Sequence, residues 1–196
     1  MSKLTESLEH TIISDLLHVY VAPIGTQSLD LKTFEFTGED IGVWKWLGDT
    51  SADSLPEFEA EDDKDSNKRT ADRKNTRSSS KMTGTITCLS ISKNFFEIVT
   101  SGGILEDDGY TVTDSTTGRD WGVMIVSEDG AFVDAFELFA ATLSTTAIKK
   151  PDLENYNSVP VKVSANTDKK GRRYKIHYPV RRTVGAAPAA AVVPGG

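Results

Sequence analysis

Residues whose types could do chemistry are few in this 196-residue chain, and their spacing does not assemble a familiar reactive group. The three histidines, His10, His18 and His177, are far from one another in sequence and from any nucleophile motif. The chain has no Gly-rich phosphate loop, no Gly-x-Ser-x-Gly elbow and no His-Glu-x-x-His motif. We therefore interpret the histidines as packing or half-exposed polar residues, and we predict no catalytic residue, no cofactor and no enzyme activity.

One stretch approaches the pattern of a metal site. Residues 63–67 (DKDSN) place oxygen ligands at the first, third and fifth positions of an EF-hand loop. An EF-hand needs glycine at its sixth position and a bidentate glutamate at its twelfth, but Lys68 and Lys74 stand there. Because cations occupy two essential positions, the sequence predicts no calcium site and no other metal site.

The most unusual feature is a polar segment from Asp49 to Lys81, in which only 5 of 33 residues are apolar. Its charges are sorted by sign, with a net −7 over residues 49–65 and a net +5 over residues 66–81. We expect a long charged surface loop, because such a segment cannot bury enough apolar surface to fold alone. Either its two halves neutralise each other in solvent, or the acidic half of one copy meets the basic half of a neighbour.

The second hypothesis assigns inter-subunit or inter-ring contacts to charged residues of both halves. The candidates are Asp53, Glu57, Glu59, Glu61, Asp62, Asp63, Asp65, Lys68, Arg69, Arg73, Lys74 and Arg77.

Composition and charge exclude several classes of function. A net charge of −7 and a pI near 5.0 argue against a general nucleic-acid binder, which needs a basic surface to displace counterions. Cys88 is the only cysteine, so an intrachain disulfide is excluded and a reducing compartment is favoured. No apolar run approaches the roughly 18 residues of a membrane helix, and the acidic N-terminus is unlike a signal peptide.

The chain length predicts one domain with two appendages. We divide the sequence into an N-terminal arm or helix at residues 1–17, a β domain at residues 18–184 that contains the charged loop at 49–81, and a flexible Ala/Pro/Gly tail at residues 185–196.

Alternating polarity predicts strands through most of the β domain. In one of them Met82, Gly84, Ile86 and Cys88 alternate with threonines and should face inwards. The run from Ala131 also fits helical spacing, but the Asp-Gly turn before it favours a strand. The remaining predictions are strands at 18–22 and 32–36, a hairpin of 110–114 with 119–126, and a hairpin of 159–165 with 172–180.

One short segment has the features of a helix. Ser92 is a good N-cap, Phe95, Ile98 and Val99 lie on one face, and glycines at 102–103 provide the stop. The predicted fold is mainly β with one short α-helix, either a β-sandwich or an incomplete antiparallel barrel flanked by that helix.

Several stretches resemble the major tail proteins, or tail tube proteins, of bacteriophages with long non-contractile tails. VYVAPIGT at 19–26 and VWKWLGDTSADSLPEFE at 43–59 are similar to the N-terminal part of these proteins, in which a long charged loop follows a Leu-Gly turn. SKNFFEIVTSGG at 92–103 stands where such proteins have their helix. Residues 119–154 and 157–166 resemble the strands that follow, so the resemblance covers about residues 18–180.

This resemblance implies a structural subunit that assembles with itself into hexameric rings, which stack into the conduit for genome ejection. It implies a place in the virion tail, after assembly in the host bacterial cytoplasm, with tape measure, tail terminator and tail tip proteins as partners. No membrane is involved, and DNA passes without specific binding, since acids in the lumen would not hold phosphates. Our guesses for lumen-facing acids are Asp114, Asp120, Glu128, Asp129 and Asp134.

A function of a different class is a β-sandwich binding module that recognises carbohydrate or a host surface. Exposed aromatic residues would mark it, and Trp44, Trp46 and Trp121 are the candidates. Trp44 and Trp46 would share one face of a strand, although such residues more often pack in a core or an interface. A hydrolase is the third hypothesis, and it lacks any nucleophile–base motif.

Overall fold

The computed structural model describes residues 16–33, 36–51, 59–61, 81–92, 94–100, 103–107, 109–112, 119–129, 132–145 and 159–183. The N-terminal arm and the Ala/Pro/Gly tail that we predicted lie outside these residues, apart from the last two residues of the arm. The described strands and helix are β1 (Leu16–Pro23), β2 (Lys45–Ser51), β3 (Glu59–Glu61), β4 (Lys81–Ile91), α1 (Phe95–Val99), β5 (Gly103–Glu106), β6 (Gly109–Val112), β7 (Asp120–Asp129), β8 (Phe132–Thr145), β9 (Val159–Ala165) and β10 (Tyr174–Arg181).

Six of these strands close into an antiparallel barrel. Its order is β1, β2, β4, β9, β8 and β7, and β7 pairs again with β1. β3 extends the sheet beside β4 and β10 extends it beside β8, while β5 and β6 form a separate ribbon. The predicted mainly β fold with one short helix is confirmed, and its architecture is a closed barrel with added strands.

One edge of β8 carries two partners in succession. β9 pairs with residues 141–145, and β10 pairs with residues 132–138. Both run antiparallel to β8, so they follow each other along the same edge instead of pairing with each other. The predicted hairpin of 159–165 with 172–180 is therefore wrong. Because β9 also pairs with β4 whereas β10 does not, the sheet divides at this point.

A turn stabilised by hydrogen bonds to the Asp168 side chain separates β9 from β10. The Asp168 Oδ1 atom accepts hydrogen bonds from the backbone N–H groups of Lys170 and Arg172, each at 2.8 Å. Asp168 Oδ2 accepts another from Arg172 Nε at 2.9 Å. Gly171 has a φ of 79°, which is the left-handed region that favours glycine. This local bonding lets the chain leave the edge of β8 after β9 and return to it as β10.

The barrel interior is filled by apolar side chains from its strands and from α1. In β4, Met82, Ile86 and Cys88 are buried there, which confirms their predicted inward orientation. Phe95, Ile98 and Val99 of the helix pack into the same cluster, also as predicted. The other buried members are Leu17, Val19, Val21, Leu47, Val123, Ile125, Leu138, Ala141, Leu143, Val159, Val161, Val163 and Ala165.

A second apolar cluster lies on the outer face of β1, β7 and β8, beneath the segment of residues 24–44. This segment contributes Leu29, Leu31 and Phe36, and the Phe36 ring meets the Tyr20 ring edge to face at 5.7 Å between centroids. The covering segment is irregular, so the predicted strand at 32–36 is wrong in its described part. The local reason is that the Asp30 side chain accepts the Lys32 N–H at 3.1 Å, which favours a turn.

Three further predictions change in detail. The strand at 109–112 pairs with β5, whereas β7 pairs with β1 and β8, so the predicted hairpin of 110–114 with 119–126 is wrong. The helix begins after Asn94 rather than after Ser92, and its cap has no side-chain hydrogen bond. The charged segment 49–81 is not one continuous loop, because it contains the end of β2, all of β3 and the first residue of β4.

Candidate functional site

A groove of about 680 Å³ lies between the covering segment and β10. Residues 27–32 form one wall and residues 175–180 form the other. The β10 wall exists because β10 leaves the barrel beside β8, and the opposite wall exists because residues 24–44 cross the outer face. The groove therefore forms where β10 separates from the barrel strands.

Glu137 lies beneath this groove, only 2% exposed, in the middle of β8. Its carboxylate accepts hydrogen bonds from Ser28 Oγ, at 2.8 Å to each oxygen. His177 Nε2 of β10 lies 2.7 Å from Oε2 of the same carboxylate. Burial alone would raise the pKa of Glu137, but the hydrogen bonds from His177 and Ser28 hold it below its ordinary value. The charged carboxylate thus joins β8, β10 and the covering segment.

The same three residue types occur in catalytic triads, but their connection here is different. A nucleophilic serine must give its proton to a base that a third group orients. Ser28 and His177 instead both bind the carboxylate of Glu137, and no hydrogen bond joins them directly in the described structure. A carboxylate whose pKa is lowered is a weak base. This arrangement is suited to fixing the position of β10.

A second, partly buried carboxylate, that of Asp49, lies on β2, within the segment that we predicted as a charged loop. Asp49 Oδ1 lies 2.7 Å from His18 Nδ1, and Asp49 Oδ2 accepts a hydrogen bond from Ser90 Oγ at 2.8 Å. Trp46 Nε1 donates a third hydrogen bond to Oδ1 at 3.2 Å. Burial would raise the pKa of Asp49, but the hydrogen bonds from His18 and Ser90 lower it. This network fixes β1 to β2 and β2 to β4.

His18 and His177 are partly buried, in line with our interpretation as packing or half-exposed polar residues, but each is also paired with a carboxylate that the sequence analysis did not identify. The partners are 31 and 40 positions away in sequence, so spacing along the chain could not reveal them. One usable signal was Glu137 itself, which interrupts the apolar run of β8. A buried carboxylate requires hydrogen-bond partners, and this requirement could have prompted a search for them.

β10 has a large exposed apolar face. Tyr174, Ile176 and Tyr178 alternate along it and are 51%, 60% and 53% exposed. The Tyr174 ring stacks on Phe136 of β8 at 5.6 Å between centroids, which leaves the rest of the stripe open to solvent. We call these three residues the β10 stripe. Contiguous exposed apolar side chains of this size are typical of interaction surfaces.

Among the described strands, β10 and β3 each have an unpaired edge. Within the described chain β8 is the only strand that pairs with β10, and β4 is the only strand that pairs with β3. A free edge presents unpaired backbone donors and acceptors, which another chain can bind as an added strand. β10 is the longer of the two, with eight residues against three.

The structure places only two of the predicted contact residues. Glu59 and Glu61 form the ends of β3, opposite Thr83 and Lys81 of β4. The other candidates, Asp53, Glu57, Asp62, Asp63, Asp65, Lys68, Arg69, Arg73, Lys74 and Arg77, lie outside the described residues.

The acids suggested for the lumen do not form one surface. Asp120 begins β7 and accepts hydrogen bonds from Thr142 Oγ1 at 2.6 Å and from Asn166 Nδ2 at 3.2 Å. Glu128, Asp129 and Asp134 lie at the opposite end of the β7–β8 pair. The local environments of these acids also differ. Glu128 is paired with Arg182, whereas burial raises the pKa of Asp134. Asp114 lies outside the described residues, and a lumen role for any of these acids stays a prediction.

The tryptophans proposed as a binding platform are largely engaged in packing. Trp44 is 3% exposed and its Nε1 donates to the Gln27 carbonyl at 2.9 Å. Trp46 is half-buried, packs against the outer cluster and donates to Asp49. Trp121 packs partly against the inner cluster, with the Arg119 guanidinium 5.6 Å from its ring centroid. Trp44 and Trp46 therefore do not present two open rings to a sugar.

No group of three or more His, Cys, Asp or Glu side chains within the described ranges is placed to hold a metal ion. In the same ranges, no helix has the length and apolar character needed to cross a membrane. No protein-family model matches the chain, and the search of curated proteins finds no significant match.

Proposed function

We propose that this chain is a structural subunit of a bacteriophage tail tube. It assembles with itself into hexameric rings, and stacked rings form the conduit through which the genome leaves the virion. The proposal combines the resemblance of residues 18–180 to tail tube proteins with a surface suited to self-association. No metal, cofactor or catalytic step enters it.

The observation that carries the proposal is the free edge of β10 together with the β10 stripe. A soluble monomer commonly shortens, charges or covers its edge strands, because exposed edges invite pairing with other chains. Within the described chain the eight-residue strand β10 has one unpaired edge, and three large apolar side chains stand on one face of it. Pairing with a neighbouring copy would satisfy its backbone groups and bury the stripe.

The internal structure of β10 supports the same function. A subunit contact needs a strand that is held in one position before the neighbour arrives, because ordering it on binding would cost affinity. The buried Glu137 carboxylate holds His177 of β10, and Thr183 after the strand donates to the Lys32 carbonyl at 3.1 Å. The edge is thus anchored at its middle and at its end.

The test is assembly of the purified full chain, observed by negative-stain electron microscopy and sedimentation velocity over a range of protein and salt concentrations. We expect rings or tubes, and we expect Ile176→Lys to prevent them by placing a charge in the stripe. Ile104→Lys is the matched control, because Ile104 is 58% exposed on β5, outside the main sheet. The proposal is overturned if the wild-type chain forms no rings or tubes under any of these conditions.

A further inference from the structure

We propose that β10 of one copy pairs with β3 of the next copy, so that the two free ends of one sheet join head to tail around the ring. This inference rests on the proposed function, and it identifies which surfaces of the subunit meet. Its occupant is a second copy of this chain, presenting the β3 edge.

The topology supplies two different edges on each subunit. The main sheet runs from β10 through β8, β7, β1, β2 and β4 to β3, and both terminal strands have an unpaired edge within the described chain. When unlike surfaces of identical subunits pair, the contact repeats from copy to copy, and it closes into a ring when the rotation permits. A β10–β10 contact would instead stop at a dimer. The β10–β3 contact therefore suits a ring.

The two edges carry opposite charge. β10 (YKIHYPVR) contains Lys175 and Arg181 and no acid, whereas β3 (EAE) contains two glutamates and no base. Opposite charges on paired strands are favourable, and like charges directly opposite each other are unfavourable. Charge thus favours β10–β3 pairing and disfavours pairing of two β10 strands or of two β3 strands.

The flanking sequences have the same signs. From Asp53 to Asp65 there are seven acids and one lysine, whereas residues 172–182 contain five bases and no acid. Some of these bases are already engaged, because Arg172 pairs with Asp168 and Arg182 with Glu128. Lys175 and Arg181 are exposed on β10 itself, although Lys175 also lies opposite Glu137 of β8 and interacts with its charge. The complementary fields would bring the two edges together in the correct order.

The usable length of the β10 edge also fits a short partner. The pairing of β10 with β8 shifts between His177 and Val180, and Pro179 within that interval has no backbone N–H to donate. Regular pairing on β10 is therefore concentrated between Tyr174 and His177, a stretch comparable with the three residues of β3. The irregularity limits pairing with longer, unrelated strands.

A peptide experiment tests this contact without requiring assembly. A fluorescently labelled peptide of residues 53–65 is titrated with the full-length chain, and binding is followed by fluorescence anisotropy at low and high salt. The wild-type chain should bind the peptide, and the double variant Lys175→Glu/Arg181→Glu should bind about tenfold more weakly, because two favourable pairs become unfavourable. Lys169→Glu/Lys170→Glu is the control, since it makes the same charge change in the turn before β10.

Two outcomes of this titration overturn the contact. One is no binding of the peptide by the wild-type chain at either salt concentration. The other is equal weakening by both double variants, which would show attraction to the basic surface in general rather than to the β10 edge. Circular dichroism of each variant confirms that the barrel is folded.

An assembly experiment separates this contact from the proposed function. In the full chain, Lys175→Glu/Arg181→Glu and Glu59→Lys/Glu61→Lys should each block ring formation. A mixture of the two variants should form rings again, because each junction then pairs opposite charges when the variants alternate.

Each result of this experiment has one meaning. Rings from the wild-type chain and from both variants alone would overturn the β10–β3 contact and leave the tube function standing. Failure of the mixture, when the wild type assembles and both variants are folded, would also overturn the contact. Specific peptide binding without wild-type rings would leave the contact standing and overturn the tube function.

Discussion

The Nε2 atom of His177 lies 2.7 Å from the Oε2 atom of Glu137, and this contact joins the edge strand β10 to the barrel. The two residues are not opposite each other in the pairing, because His177 faces Ala135 and Glu137 faces Lys175. The side-chain contact is therefore diagonal and adds to the backbone ladder. Together with Ser28 it makes one buried carboxylate the meeting point of three segments.

Replacing Glu137 should destabilise the fold strongly. Glu137→Ala removes the acceptor for His177 and Ser28 and leaves both polar groups buried without it, at a cost of about 3 kcal/mol. Ser28→Ala removes one hydrogen bond and should cost about 1 kcal/mol. Urea unfolding followed by circular dichroism measures both changes. Glu39→Ala is the control, because Glu39 is exposed and its replacement should change stability by less than about 0.5 kcal/mol. Equal stability of Glu137→Ala and wild type would contradict this account.

Acid should destabilise the protein through the same carboxylates. The pKa values of Asp49 and Glu137 are lowered in the folded state, so near those values the unfolded chain binds more protons than the folded one. The stability they contribute is complete above the unfolded pKa values of roughly 4 and is lost as the pH falls through the lower folded values. Asp49→Asn should flatten this decrease in urea unfolding measured at successive pH values. Asp107→Asn, at an exposed turn position, is the control, and an unchanged pH profile for Asp49→Asn would refute the role of Asp49.

Replacing Gly38 of the covering segment by alanine should destabilise the fold for two separate reasons, backbone strain and a close contact with Trp46. Gly38 has a φ of 75°, and a Cβ atom there would lie 3.3 Å from Cζ2 of Trp46. Gly42 has a φ of 60°, but a Cβ atom there would have no neighbour within 4 Å. Gly42→Ala should therefore cost about 1 kcal/mol of backbone strain. Gly38→Ala should cost about 1 kcal/mol more, because Trp46 is held by Asp49 and cannot move freely. Equal changes in melting behaviour would show that the contact with Trp46 is unimportant.

Cys88 should not react with thiol reagents in the folded protein. Burial raises the pKa of this thiol to about 12, and the residue has no exposed surface. Because the thiolate is the reactive form, a thiol reagent such as dithionitrobenzoate should react with one cysteine per chain only after denaturation. Rapid reaction under native conditions would show that β4 opens readily at this position.

Prediction from sequence succeeded where a local pattern and the burial of a face agree. The alternation at Met82, Ile86 and Cys88 and the helical spacing of Phe95, Ile98 and Val99 are both confirmed by burial. For these residues, the apolar periodicity of the sequence is enough to predict which side chains are buried. The fold class follows from the number of such strands and the single short helix.

Pairing between strands could not be obtained in this way. Residues 159–165 and 172–180 look like a hairpin because a turn separates two short strands, but each pairs with a different part of β8. The choice depends on the length of β8, which no local pattern in the two short strands contains. The same limit explains why the carboxylate partners of His18 and His177 were missed.

If copies assemble through β10 as we propose, any force between neighbouring subunits passes through strand β8. Its first half is bound to β10 through six registered residue pairs and to β7 on its other edge, and its second half is bound to β9. If a ring is drawn open by pressure from within, the pull on β10 crosses the strands along the direction of their hydrogen bonds, and these bonds share it. The contact of His177 with Glu137 is a side-chain link at the same junction. The mechanical strength of a ring would then depend on this one β8–β10 seam as much as on the contact between subunits.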